Sequence, residues 1–248
     1  MRITIIVFGM LLFAAAANAQ SSRQEFTVPT PSGGVLVESF GNCASKKCPA
    51  VLILSGSKGF GASAYGELGQ AFEAAGLNAY LVHVVSAADL NAIVKMDGAS
   101  ARIAYYARRW SQWTSAVQSV AAYIRAQSPG QVKVGILGIS LGAQIAAAAS
   151  AGRSDIDGLV LVDGGFPNGY SKPVRSLPPL LLIWGSADRT FPLAIGRDLQ
   201  QTAQRLGKPV GLDVFEDGTH DFFLRSGTPN AGAAHRKTVA FLASYLLR

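Results

Sequence analysis

The sequence predicts an α/β fold: a mostly parallel central sheet of about eight strands, with an N-terminal antiparallel hairpin and helices on both faces. Three observations carry this. Short apolar runs alternate with stretches of helical spacing, so strand and helix follow one another along most of the chain. Several runs end in glycine turns, as at Ser55–Gly61, Gly138–Gly142 and Gly185–Asp188. Of the 248 residues, 49% are hydrophobic and no repeat period is visible, which fits one domain with a sizeable core.

Residues 1–19 are a different material. Arg2 leads an apolar run from Ile3 to Ala16, and Ala17-Asn18-Ala19 supplies a small-residue cleavage site. The run falls short of the ~20 apolar residues that span a bilayer. It reads as a signal peptide cut after Ala19, which leaves residues 20–248 as a single domain, secreted or periplasmic. No later run is long and apolar enough to span, so stable membrane insertion after cleavage is not expected. Cys43 and Cys48 are the only cysteines, and in an oxidising compartment they are expected to form a disulfide across a short loop. The net charge of +7 is scattered, and no nucleic-acid-binding motif accompanies it.

The elements follow in order. Gln24–Val28 and Val35–Phe40 read as a hairpin around Thr30-Pro31-Ser32-Gly33-Gly34. Ala50–Leu54 is a buried strand, Tyr65–Ala75 a helix stopped at Gly76, and Ala79–Val84 the next strand. Residues 85–100 show no pattern beyond a turn at Asp97-Gly98. From Ile103 the apolar positions Tyr106, Trp110, Trp113, Val117, Val120 and Ile124 keep three-four spacing over about six turns, with the tryptophans on the core stripe. Val132–Leu137 is a strand, and the alanine-rich stretch after Gly142 is a tightly packed helix. Gly158–Val162, Pro179–Trp184 and Val210–Phe215 are further strands, and Ala234–Leu247 closes the chain as a helix.

Chemistry concentrates where strands end. Ser140 sits between Gly138 and Gly142 as G-x-S-x-G, between a strand and a helix. That context makes a nucleophile elbow, in which glycines let backbone pass close and the serine hydroxyl projects out of the sheet. Asp188 and His220 also follow strands, and the order Ser…Asp…His is that of the α/β-hydrolase fold. A neutral histidine can take the proton of a serine near pH 7, and a carboxylate fixes its tautomer and stabilises the imidazolium. Asp163 also ends a strand and is the rival acid. His83 and His235 fall inside a strand and near the last helix, as structural histidines would.

Two N–H groups are expected to receive the oxyanion: that of Leu141, directly after the nucleophile, and that of Ser57 in the loop after Leu54, with Lys58 the alternative. Lys58 could also add charge near the substrate. Residues 85–109 are expected either to edge the active site as a lid or to form a solvated surface loop. Tyr105 and Arg109, four apart and off the core stripe, are the substrate-recognition candidates.

From about Pro49 onward the chain resembles the dienelactone hydrolase family, on GISLGA around Ser140, WGSADRTFP around Asp188 and FEDGTHDFF around His220. Type members of that family use a cysteine nucleophile and carry a glutamate in the loop after the strand corresponding to Val51–Leu54. Here Ser140 and Gly56 occupy those places, so the resemblance implies a serine-nucleophile relative. The expectation is an exported carboxylic ester hydrolase that acts on a small-molecule ester through an acyl-enzyme on Ser140, with no cofactor and no metal. An acyltransferase or a peptidase with the same triad, or a silent binding protein on the same fold, are the other readings.

Overall fold

The computed structural model describes residues 23–41, 48–128 and 132–248. The predicted leader and Cys43 lie outside the described residues. The chain opens with a hairpin of β1 (Gln24–Thr30) and β2 (Gly33–Phe40), with Val28 opposite Val35. The succession is then β3 (Ala50–Leu54), α1 (Ala64–Ala74), β4 (Asn78–Val82), α2 (Ala87–Val94), α3 (Gly98–Gln127) and β5 (Val134–Ile139). It continues with α4 (Leu141–Ser150), β6 (Gly158–Val162), β7 (Leu180–Gly185), α5 (Leu193–Arg205), β8 (Val210–Phe215) and α6 (Pro229–Leu246).

These strands form one eight-stranded sheet in the order β1-β2-β4-β3-β5-β6-β7-β8. The hairpin is antiparallel and attaches to β4 at one edge; from β4 to β8 every neighbouring pair is parallel. Helices cover both faces, so β3, β5, β6 and β7 are buried along their whole length and read as continuous apolar runs. One face packs on α3, α4 and α5 through Trp113, Val117, Val120, Ile145 and Leu199. The other packs on α1 and α6 through Leu68, Phe72, Leu242 and Leu246. Burying one such side chain contributes roughly 1.5–3 kcal/mol, which is what holds the three layers together. Among the described residues, no helix is long and apolar enough to cross a membrane.

The segment after β4 departs from its expectation. Residues 87–94 and 98–100 are helical rather than irregular. Ser86 caps α2: its hydroxyl accepts from the Asp89 N–H at 3.1 Å, and Asp89 accepts from the Ser86 N–H at 3.0 Å. This reciprocal pair satisfies two N–H groups that an eight-residue helix would otherwise leave unpaired. Next, α3 begins at Gly98, earlier than Ile103. Its 30 residues run about 45 Å at 1.5 Å per residue. All its buried residues, from Trp113 to Ile124, lie in the second half. The first half runs past the sheet, so Ile103, expected in the core, is 44% exposed.

Candidate active site

Ser140 sits at the tip of the turn between β5 and α4 with φ +56°, a left-handed conformation costly for a residue with a Cβ. Its neighbours explain how the turn closes. A Cβ on Gly138 would come within 2.4 Å of the Gly142 carbonyl oxygen, and one on Gly142 within 2.3 Å of the Leu54 carbonyl oxygen. No side chain larger than hydrogen fits at either place. The Ser140 N–H donates to the Val162 carbonyl at 2.9 Å, which ties the elbow to the end of β6.

The hydroxyl meets His220 on the loop after β8. Ser140 Oγ lies 2.8 Å from His220 Nε2, and His220 Nδ1 lies 2.8 Å from Asp188 Oδ2. Asp188 sits after β7, its carboxylate fully buried. Its second oxygen accepts the N–H groups of Thr190 at 2.7 Å and Phe191 at 3.0 Å, so the acid is held by its own turn. Burial disfavours the charged form of His220, but the hydrogen bond and charge of Asp188 outweigh it and raise its pKa. The Phe191 ring packs against the imidazole at a centroid distance of 5.5 Å. Three residues spread over 80 positions thus form one continuous line.

Asp163, the rival acid, is not on that line. It follows β6 at φ +46° and is wholly buried. One oxygen accepts the Gly185 N–H at 2.9 Å; the other has no hydrogen-bond partner among the described residues. Burial pushes this carboxyl up to about 8, with the Gly185 N–H opposing and the Asp188 charge reinforcing the shift. Asp163, Asp188 and His220 present oxygen and nitrogen atoms within 4.8 Å of one another. Both ring nitrogens of His220 are engaged, by Ser140 and Asp188. His83 and His235 stand apart: His83 pairs with Glu38 at 2.5 Å, and His235 with the Phe223 carbonyl at 2.8 Å.

Leu141 opens α4, and Ser57 lies in the loop after β3; both line the cavity that contains Ser140 and His220. That loop abuts Ser140, since a Cβ on Gly56 would stand 3.4 Å from the Ser140 Cβ. Lys58 also lines the cavity, with its ammonium 3.0 Å from Asp221. The two recognition candidates on α3 fall elsewhere. The Tyr105 hydroxyl donates to Asp89 at 2.6 Å, and Arg109 Nε lies 2.9 Å from the same carboxylate. Neither lines the cavity. Asp89, buried on α2, takes them as donors along with Ser86 and Trp113. Burial works against the Asp89 charge, but those hydrogen bonds prevail and hold its pKa at about 2.

The cavity above Ser140 measures about 1030 Å³. Its wall includes side chains that sequence reasoning placed in the core or passed over. Tyr106 and Trp110 share the α3 stripe with Trp113, but they lie where the helix has left the sheet, and they face the cavity. The Tyr106 hydroxyl reaches the Ser57 side chain, which links α3 to the loop after β3. Phe191, inside the WGSADRTFP stretch, and Ile195 on α5 complete the opposite side.

The sheet, the strained serine turn and the Ser-His-Asp line define an α/β hydrolase. A model of the dienelactone hydrolase family matches residues 39–246, and the chain belongs to that family. Solved structures share the fold. The dienelactone hydrolase of Anabaena variabilis is 17% identical with a TM-score of 0.70, over 92% of this chain and 99% of that one. A thermophilic esterase of Thermogutta terrifontis is 15% identical with a TM-score of 0.68, over 93% and 97%. The acylaminoacyl peptidase of Pyrococcus horikoshii is 16% identical with a TM-score of 0.71, over 91% of this chain but 42% of that one. Among curated proteins, none matches this sequence.

Proposed function

We propose that the protein is an exported serine esterase that cleaves carboxylic esters through an acyl-enzyme on Ser140. The observation that carries this reading is the unbroken contact from Ser140 Oγ through His220 to Asp188, at 2.8 Å on each side. Ser140 Oγ attacks the ester carbonyl while His220 Nε2 takes its proton. The N–H groups of Leu141 and Ser57 receive the oxyanion. His220 returns the proton to the departing alcohol, and the acyl group stays on Ser140. Water then attacks the acyl-enzyme with His220 as base, and the carboxylic acid leaves. Asp188 holds the imidazole tautomer and its transient positive charge throughout.

Export rests on the leader pattern of residues 1–19, with Gln20 as the first residue of the mature chain. Pairing of Cys43 with Cys48 belongs to the same reading; among the described residues no cysteine is free. So short a loop contributes only ~2 kcal/mol.

The experiment is treatment of the purified protein with a fluorophosphonate, followed by peptide mapping, beside hydrolysis of p-nitrophenyl esters. An adduct on Ser140 with parallel loss of hydrolysis is the expected result. Hydrolysis that survives full labelling of Ser140 overturns the reading.

A further inference from the structure

The esterase reading leaves the substrate open, and the cavity narrows it. We infer that the site takes the bulky apolar group of a neutral ester, laid along the wall that α2 and the first half of α3 raise over Ser140. This rests on the proposed esterase activity.

Size is the first observation. At about 1030 Å³ the cavity stands at the top of the roughly 300–1,000 Å³ usual for sites that enclose a drug-sized ligand. A short acyl or alcohol group would leave most of it filled with water.

The second observation is the wall. Leu90 and Ile93 come from α2, Tyr106 and Trp110 from α3, and Phe191 and Ile195 from the side that carries Asp188. These side chains converge on Ser140 from both flanks. The mouth is apolar too. Val94, Ile103 and Ile195 are 80%, 44% and 37% exposed, three of only six large hydrophobic residues so exposed among those described. All three lie on this cavity. Apolar side chains gathered in water around one opening mark a place where an apolar ligand covers them.

Charge is the third. Among the described lining residues there is no Asp or Glu, and the two permanent cations are Lys58 and Arg102. Lys58 is paired with Asp221, and Arg102 donates to the Met96 carbonyl at 3.3 Å. Arg109 is turned away onto Asp89. Both cavity cations thus already hold a protein acceptor, and the remaining lining residues carry no permanent charge.

The test uses the purified full-length protein with p-nitrophenyl esters from acetate to decanoate. A dicarboxylate half-ester matches octanoate in length. Each buried methylene is expected to raise kcat/KM by about 2- to 4-fold until the cavity fills, so octanoate should exceed acetate by at least ~10-fold. Octanoate should also exceed the carboxylate-ended ester of equal length by at least ~10-fold. In the double variant Val94→Ser/Ile103→Ser, the octanoate-to-acetate ratio should fall by at least ~3-fold. Because this ratio is measured within one preparation, it is insensitive to the fraction folded. A series that is flat or declines with length, while fluorophosphonate still labels Ser140, overturns the inference and leaves the esterase reading intact. A preference for the carboxylate-ended ester does the same. Failure of every ester together with failure to label Ser140 overturns both.

Discussion

The catalytic loops and the wall that faces them are built on different principles. Ser140 and Asp188 each follow a buried strand and His220 follows the part-exposed β8, and neighbouring backbone fixes the first two: Ser140 by the Val162 carbonyl, Asp188 by the N–H groups of Thr190 and Phe191. The wall of α2 and the first half of α3 packs on the core through Leu90, Ile93, Tyr106 and Trp110. It is joined through one buried carboxylate, Asp89, which accepts from Ser86, Tyr105, Arg109 and Trp113. The difference separates chemistry from selection. Reacting atoms need sub-ångström placement, which a sheet edge supplies, whereas a substrate wall needs area and shape, which two helices packed on the core and tied by Asp89 can supply.

The largest expected effect sharpens the first half of that comparison. His220→Ala and Asp188→Asn should each lower kcat by on the order of 10³–10⁴, since triad members act as a unit, while Asp163→Asn should cost less than ~10-fold. Steady-state assay of folded variants checks this; equal losses at Asp163 and Asp188 would move the acid to β6. The pH profile carries the same logic. In the proposed mechanism His220 works as the neutral base, and its pKa is raised by Asp188, so kcat/KM should fall with acidity through a value above the ordinary 6.5. In Asp188→Asn that limb should move to lower pH.

Next in size is the wall. Asp89→Ala leaves the Arg109 guanidinium and the Trp113 N–H without their acceptor, which should cost about 3 kcal/mol in denaturant unfolding. Arg109 is part-exposed and screened, so Arg109→Ala should cost only about 1–2 kcal/mol, and Tyr105→Phe about 1 kcal/mol. None of the three should change the ratio of activity on carboxylate-bearing and neutral esters. A selective loss on the charged ester at Arg109→Ala would return that residue to substrate recognition.

The smallest effect concerns Asp163. Its folded pKa of about 8 lies above the unfolded value, so the native state binds the extra proton and stability declines as pH rises from about 4 through 8. Asn keeps the neutral shape and tolerates positive φ. Asp163→Asn should therefore raise Tm at pH 9 by more than at pH 5; an equal shift at both would show that the carboxyl does not titrate in that range.

Much of this molecule is legible in the chain because its sheet is buried. β3, β6 and β8 fall where apolar runs place them, and β1, β4, β5 and β7 differ by a residue or two at their ends; β3, β5, β6 and β7 are buried on both faces and so must be apolar throughout. The serine turn and the two loops after β7 and β8 carry their chemistry in contiguous residues, so Ser140, Asp188 and His220 could be named from motif and order. The wall has no such local mark. An eight-residue helix is too short for a period to emerge, although Ser86-Ala87-Ala88-Asp89 held the capping signal. Tyr105 and Arg109 face a partner 16 and 20 residues away. Tyr106 and Trp110 keep the spacing of core residues and pack against the core while also facing the cavity, and nothing in a three-four pattern says which side chains a cavity will reach.

The central claim is that Ser140 is the nucleophile. Its most direct measurement is kcat of Ser140→Ala on a p-nitrophenyl ester, in protein whose circular dichroism and Tm match the parent. The account predicts a loss on the order of 10⁴ or more, with residual turnover owed to binding and the oxyanion N–H groups alone. Turnover within ~10-fold of the parent, in folded protein free of parent enzyme, would contradict it.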